Sequence, residues 1–478
     1  MAQRFYLTFV AMMWVFSVGC LDEENDRDLG RDVLQDDDYG DETISEQNGD
    51  YVEVENLNVF LDAGTVEDDT QTSDPGEGIG SKAGDNWKPQ FDKDPGPSQN
   101  EETWTIMMYQ DADNNLETVL LNDINEMEAA DIPSNVNIIV LVDRSAWYDS
   151  SDGNWSGAKL FKLTHDDVPK KIDSIRLADP EFLHLSGTSK NGEELDMGSW
   201  ETLDAFIRFS QKNFPADHYI LHLSDHGDGW RYQMGIHGEP APNRAICTDD
   251  SSGNALSLSH DVPRAIENKG IEAMSFDACL MGTVEVAYAL APHVDYAALS
   301  VLNVPSSGWQ YTDTLNRWFE HRTAKNWALN AVSSYHTYYY AHYDVGFTAV
   351  DLKKIAELAP VLEDFLISVA LAPIEDLKAV RNQTYRPDRM SAMAMRDIVD
   401  FVQRCEPFVG KEKVDTFLKS YEEAILYYWY SATQSKLRGL TIYAPGPSFI
   451  QGGPYSQAYD ATPFALDTLW DEFINYLL

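Results

Sequence analysis

Basic residues are scarce in this chain. Its 478 residues hold 35 Lys and Arg against 79 Asp and Glu, a formal net charge of −44. A surface of that sign repels a phosphate backbone, so nucleic acid is not an expected partner. Cysteine is scarcer still, with four in all. Beyond Cys20 only Cys247, Cys279 and Cys405 remain, an odd number and too few for a disulfide framework. At least one thiol is therefore free, or bonded to another molecule. No Cys/His cluster has metal-ligand spacing, and no glycine loop is built to cradle phosphate. A Gly-x-Ser-x-Gly elbow is also missing, so serine-hydrolase and nucleotide chemistry lose their usual support.

Long apolar runs are equally rare, and the one that stands out lies at the start. Arg4 gives a positive beginning, Phe5 to Val18 carries no charge, and Asp22 and Glu23 follow closely. The pattern predicts a signal peptide over residues 1–19, too short for a comfortable membrane span. Ser17-Val18-Gly19-Cys20 resembles a bacterial lipoprotein processing site, which makes Cys20 the candidate lipidated residue and the anchor of an exported envelope protein. A plain signal peptide with an incidental Cys, and secretion without an anchor, is the other reading. Residues 21–100 then hold 24 acidic and 5 basic side chains. Such a stretch buries too little apolar surface to offset chain entropy, so residues 20–100 are expected as a disordered acidic tether.

Order is expected from about Glu101. Thr103–Tyr109, Val136–Val142, His218–Ser224, Ile271–Phe276 and Tyr296–Val301 read as strands. Helical spacing recurs between them, at Leu203–Phe214, Val262–Asn268 and Thr283–Leu290. This alternation predicts an α/β fold, a largely parallel sheet with helices on both faces. Val345–Val350 and Gly439–Tyr443 read as later strands separated by long helical stretches. A catalytic core over 101–350 and a C-terminal α/β subdomain over 351–478, packed on that core, are expected.

In a parallel sheet, ligands bind beyond the carboxyl ends of the strands. Two reactive side chains fall there: His226, after the strand ending at Ser224, and Cys279, after the strand ending at Phe276. A thiolate can attack a carbonyl carbon while imidazole manages the protons. The backbone N–H groups of Gly227 and Cys279 are candidate oxyanion donors. A helix beginning near Gly282 would favour the thiolate through its dipole. The competing reading is a buried small hydrophobe at Cys279 and a loop histidine at His226, and the residues alone leave the two nearly balanced.

Four motifs in order tip that balance. They are Tyr109 with Asp113-Asn114-Asn115-Leu116-Glu117, Asp225-His226-Gly227-Asp228-Gly229-Trp230, Phe276-Asp277-Ala278-Cys279-Leu280-Met281, and Pro305 with Gly308-Trp309. Together they resemble the clostripain family of caspase-like cysteine peptidases, in the clan of caspases and gingipains. The resemblance implies a caspase-like fold and endopeptidase cleavage of protein or peptide substrates after Arg or Lys. It places Asp277 at the base of the specificity pocket. It departs from the family at Val301-Leu302, where acidic residues are common. It also implies self-cleavage between the His and Cys segments, for which the Arg244-Ala245 bond is the candidate. No cofactor is expected. Calcium, which some relatives use, has only Asp249-Asp250 and Asp225/Asp228 to suggest it, and these read as surface carboxylates. A catalytically inactive peptide-binding or adhesion lipoprotein is the alternative function.

Overall fold

The computed structural model describes residues 91, 102–230, 246–341, 344–387, 394–446 and 458–477. The expected signal peptide, Cys20, almost all of the tether and the Arg244-Ala245 bond lie outside them. Among the described residues there are thirteen strands: β1 (Trp104–Ala112), β2 (Val136–Arg144), β3 (Gly157–Lys162), β4 (Ile175–Leu177), β5 (His218–Ser224), β6 (Ile246–Thr248), β7 (Ala255–Leu256), β8 (Ile271–Asp277), β9 (Tyr296–Ser300), β10 (Gly346–Asp351), β11 (Met395–Asp397), β12 (Ile425–Tyr430) and β13 (Thr441–Tyr443). Nine form one sheet in the order β12-β10-β9-β8-β5-β1-β2-β3-β4. The five central strands run parallel, and the strands outside them pair antiparallel at both edges. The largely parallel sheet read from the sequence is present.

Apolar runs without alternation make sense in such a sheet, because both faces are covered. Every residue of β1 is buried. Met107 and Tyr109 join one apolar cluster, and Ile106 and Met108 join the other. The first face is covered by helices Trp200–Asn213, Asp261–Ile266, Val284–Leu290, Leu352–Val369 and Lys411–Ala424, and the second by Glu117–Glu128, Tyr311–Glu320 and Ala324–Tyr339. Among the described residues, no helix is long and apolar enough to cross a membrane.

Two elements differ from the sequence expectation. Residues 425–430 are an edge strand of the main sheet, paired with β10, where a helical stretch was read. The run Ile-Leu-Tyr-Tyr-Trp-Tyr follows the Lys411–Ala424 helix with no Gly or Pro between them, so nothing local marks the change of period. Residues 441–443 are a strand as expected, but they pair with β11 in a separate two-stranded sheet. The stretch 351–478 also reaches the loop after β5, where Trp230 meets Tyr443 and Tyr459 edge-on at 4.7 and 4.6 Å.

A buried ion pair sets the loop after β1. Arg144, at the end of β2, donates from Nε to Glu117 Oε1 at 2.7 Å with both side chains fully buried. Glu117 Oε2 accepts from the backbone N–H of Tyr148 and Asp149. Removing Glu117 would leave the buried guanidinium with only the longer contact to Asp149 Oδ1 at 3.6 Å as a charged partner. Glu117→Gln is expected to lower unfolding stability by about 3 kcal/mol, read as a shift of the urea midpoint. An unchanged midpoint would show the pair to be inessential.

Candidate active site

The site grows from one register. β5 and β8 are parallel neighbours in which Ser224 stands opposite Asp277. Asp225 N–H donates to Asp277 O at 3.2 Å, which carries the pairing one step past the strands. Two residues further along each chain lie His226 and Cys279, on loops leaving the same sheet edge. How closely the loops cross is fixed by Gly227. A Cβ there would sit 2.4 Å from Cys279 O and 2.8 Å from Cys279 N, contacts that real side chains essentially never make. Only glycine lets the two expected oxyanion N–H bearers, Gly227 and Cys279, lie this close. Gly227 also forms an isolated bridge with Ile246, so the start of β6 lies beside the site.

His226 is exposed, and its Nε2 lies 2.7 Å from Asn115 Oδ1. Asn115 was part of a motif read from the sequence, but no role attached to it. Beside it, Asn114 donates from Nδ2 to Asp225 Oδ1 at 2.7 Å and to Thr248 O at 3.0 Å. Two consecutive asparagines after β1 thus hold two consecutive residues after β5. Asp225 is buried, and burial pushes its carboxyl up to about 8 against the hydrogen bonds from Thr248, His226 and Asn114.

Cys279 is partly buried, and its Sγ accepts from Val304 N–H at 3.3 Å. The expected help from a helix terminus is corrected here. The helix starts at Val284, capped by Thr283, five residues past the thiol and beyond the reach of the first turn's dipole. Burial therefore dominates and raises the Cys279 thiol, opposed by the Val304 N–H and reinforced by Asp277, Asp228 and Asp225. Leu280, immediately after, is held at φ +64°, an uncommon backbone for a leucine. Cys247 and Cys405 are buried thiols, and burial raises both, Cys405 to about 12.

Asp277 ends β8, two residues before Cys279. Its Oδ2 accepts from Trp309 N–H at 2.8 Å and Tyr311 O–H at 3.0 Å. Gly308, at φ +55°, leaves room for it, since a Cβ would come within 2.4 Å of that oxygen. Behind Asp277 runs a buried relay. Trp327 Nε1–H donates to Ser275 Oγ, which faces His222 Nδ1 at 2.7 Å, and His222 Nε2 faces Tyr311 Oη at 2.9 Å. A donor-only indole at one end and a carboxylate at the other give these bonds one consistent direction. Burial drives His222 down to about 3, so it is neutral and structural. Burial also pushes Asp277 up to about 6, with Trp309 and Tyr311 opposing and Glu126 adding.

Val301 and Leu302, the departure from the family pattern, are buried against Leu437. A second acid comes from elsewhere. Asp123, on the Glu117–Glu128 helix, is 3% exposed, and burial and the field of Asp277 raise its carboxyl. A helix position so far away in sequence carried no signal for this role. The carboxylates read as solvated are also corrected in part. Asp225 and Asp249 are buried, because backbone N–H groups of Thr248, Met197 and Ser252 accompany them inside.

Among the described residues, Asp113, Glu194 and Asp249 each bring a carboxylate oxygen within 4.8 Å of the others. Calcium takes roughly six to eight oxygens, and both Asp249 oxygens and Asp113 Oδ2 already accept backbone N–H groups. The fit to calcium is partial, and no chemical step needs it.

A raised thiol has a direct consequence. The thiolate fraction of Cys279 in the free protein should climb only above the pH at which an ordinary thiol ionises, so its alkylation by iodoacetamide should keep accelerating past that pH. A rate already level near pH 7 would show instead a preformed thiolate–imidazolium pair. Cys247 and Cys405 should remain unlabelled in the folded protein.

Comparison with known proteins gives the family and the fold. A family model described as the clostripain family matches residues 108–477. Clostripain of Hathewaya histolytica is 40% identical over 200 residues, covering 39% of this chain and 36% of that protein. The chain thus matches about a third of that relative's length. An inactive zymogen C11 protease from Parabacteroides distasonis superposes with a TM-score of 0.58 at 22% identity, covering 77% of this chain and 98% of that one. A secreted C11 cysteine protease from Bacteroides thetaiotaomicron, solved with an irreversible peptide inhibitor, gives 0.56 at 18% identity, covering 77% and 99%. At these identities the superpositions speak for the fold.

Proposed function

The chain belongs to the clostripain family, and from that premise we propose that it is a cysteine endopeptidase in which Cys279 and His226 form the catalytic pair. The observation that carries this reading is the contact of the Gly227 backbone with that of Cys279, at the edge where β5 and β8 end. The Cys279 sulfur attacks the scissile carbonyl carbon as His226 takes the thiol proton. The N–H groups of Gly227 and Cys279 receive the oxyanion. His226 then protonates the departing amine, leaving a thioester that water hydrolyses to the acid and free thiol. No cofactor takes part. A thiol that stays neutral at rest suits a pair that ionises only as substrate arrives, and no third charged residue is required.

The substrate residue preceding the cleaved bond is proposed to be Arg or Lys. Asp277 brings a carboxyl next to Cys279, and Asp123 brings a second one into the same buried surroundings, raised by burial and by the field of Asp277. A substrate cation would relieve their mutual repulsion. Cleavage of fluorogenic peptides ending in Arg, Lys, Asp or Ala tests this directly. Arg and Lys peptides should be cut by the wild type and by no Cys279→Ala preparation. Asp277→Asn should lower kcat/KM for the Arg peptide by about a hundredfold. The carboxylate must be ionised to hold a cation, so kcat/KM should fall as pH drops through about 6. Cleavage independent of Cys279 would remove the proposed nucleophile. Binding of peptides without any cleavage would return the protein to the peptide-binding class.

We also propose that the chain is exported through its N-terminal segment, held by a lipid on Cys20, and matured by self-cleavage between Arg244 and Ala245. A solved relative described as an inactive zymogen supports such a step for this architecture. Purified wild type should separate into two chains at that bond, whereas Arg244→Ala and Cys279→Ala should each stay whole. Processing of Arg244→Ala at the wild-type rate would move the cut elsewhere.

A further inference from the structure

We propose that Asn115 is a positioning residue for His226, its side-chain oxygen holding the Nε2–H so that Nδ1 is the ring nitrogen that exchanges a proton with Cys279. The inference rests on the cysteine-peptidase reading above and adds to it which tautomer is used and what selects it.

The contact is short, 2.7 Å between Asn115 Oδ1 and His226 Nε2. An amide oxygen can only accept, so this pairing requires the proton on Nε2. In neutral imidazole the lone pair then lies on Nδ1, the nitrogen left to receive the thiol proton and return it to the amine. Once the ring is doubly protonated, the same Nε2–H faces the same oxygen as a charge-assisted bond, which is stronger. Asn115 therefore favours the protonated ring that forms during attack.

The residue is presented from a fixed turn. Asn114 Oδ1 accepts from Leu116 N–H at 2.8 Å, and Asp113 accepts from Ser251 N–H through Oδ2 and from Asp250 N–H through its backbone oxygen. The helix that follows starts at Glu117, the buried partner of Arg144. With Asn114 tied to Asp225, the oxygen of Asn115 reaches His226 from a turn bonded on both sides. The turn itself hangs from β1, which pairs directly with β5 up to Gln110 and Ser224.

The acceptor is also neutral, and that choice has chemical content. A carboxylate at this position would stabilise imidazolium at rest and draw the proton from Cys279 before substrate arrives. An amide orients the ring with a weaker pull. This agrees with a thiol that burial keeps protonated.

Three proteins decide the matter: wild type, Asn115→Ala and Asn115→Asp, each assayed for peptide hydrolysis and for Cys279 alkylation across pH. Asn115→Ala should lose about tenfold in kcat with KM within about twofold, as expected for a bond that matters most in the charged state. Asn115→Asp should recover part of that loss and shift the alkylation midpoint down by about one pH unit. A merely structural asparagine would not lower the midpoint in Asn115→Asp while Asn115→Ala loses kcat at unchanged KM. Wild-type kcat and midpoint in Asn115→Ala, or identical behaviour of both variants, would overturn the assignment. If the wild type cleaves no peptide, the peptidase reading fails, and ring ¹⁵N shifts of His226 still judge Asn115. An Nε2–H tautomer in the wild type that is lost in Asn115→Ala supports the contact, and an unchanged ring refutes it. Asn115→Asp keeps the side chain's size and carries the same readouts should the alanine variant not fold.

Discussion

The parallel pairing of β5 with β8 is the constraint on which the site depends. It sets Ser224 opposite Asp277, and the next residues of each chain follow from it. A slip of one residue would turn Asp277 to the other face of the sheet. It would also break the contact that only Gly227 permits with Cys279. The neighbouring pairs extend the same logic. β1 against β5 brings Asn114 and Asn115 to Asp225 and His226, and β9 leads into the loop whose Val304 N–H meets the Cys279 sulfur.

Behind this edge the protein has gathered buried charge. Asp111, Asp143, Asp225, Asp249 and Asp277 are all under 9% exposed, and each carboxyl is raised with burial as the leading cause. Asn114, the backbone around Thr248 and the Trp309–Tyr311 segment supply the hydrogen bonds that make such burial tolerable. The acidity of the chain is thus of two kinds. One is the excess of acidic over basic residues in the sequence of 21–100. The other is structural, and it reaches Cys279: burial raises that thiol, and Asp277, Asp228 and Asp225 raise it further.

Much of the fold was legible because strands buried on both faces are written as continuous apolar runs. Val136–Val142 and His218–Ser224 needed no partner to be recognised. The antiparallel edges were less visible. Gly157–Lys162 alternates weakly, and Ile425–Tyr430 follows a helix without punctuation. Among candidate site residues, His226 and Cys279 could be singled out because reactive types follow strand ends, Gly227 by its place beside the histidine, and Asp277 by its place in a family motif. Asn115 and Asp123 were not singled out, because an asparagine in a turn and an aspartate in a helix are ordinary in sequence.

By itself the sequence determined the class of the protein: the alternation of the central strands with helices, a cysteine count too low for a disulfide framework, and the motifs that mark a cysteine peptidase. These are local properties, carried by residue type and period. Tertiary structure alone decided what each reactive group meets. It moved the helix terminus away from Cys279 and buried Val301 and Leu302 against Leu437. It also set Asp123 near Asp277 and Asn115 against His226. Such outcomes depend on strand register and on which helix covers which face, and they join residues up to 154 positions apart in the chain (Asp277 and Asp123). No local pattern carries that information, because the field at a buried group is made by neighbours that only folding brings near.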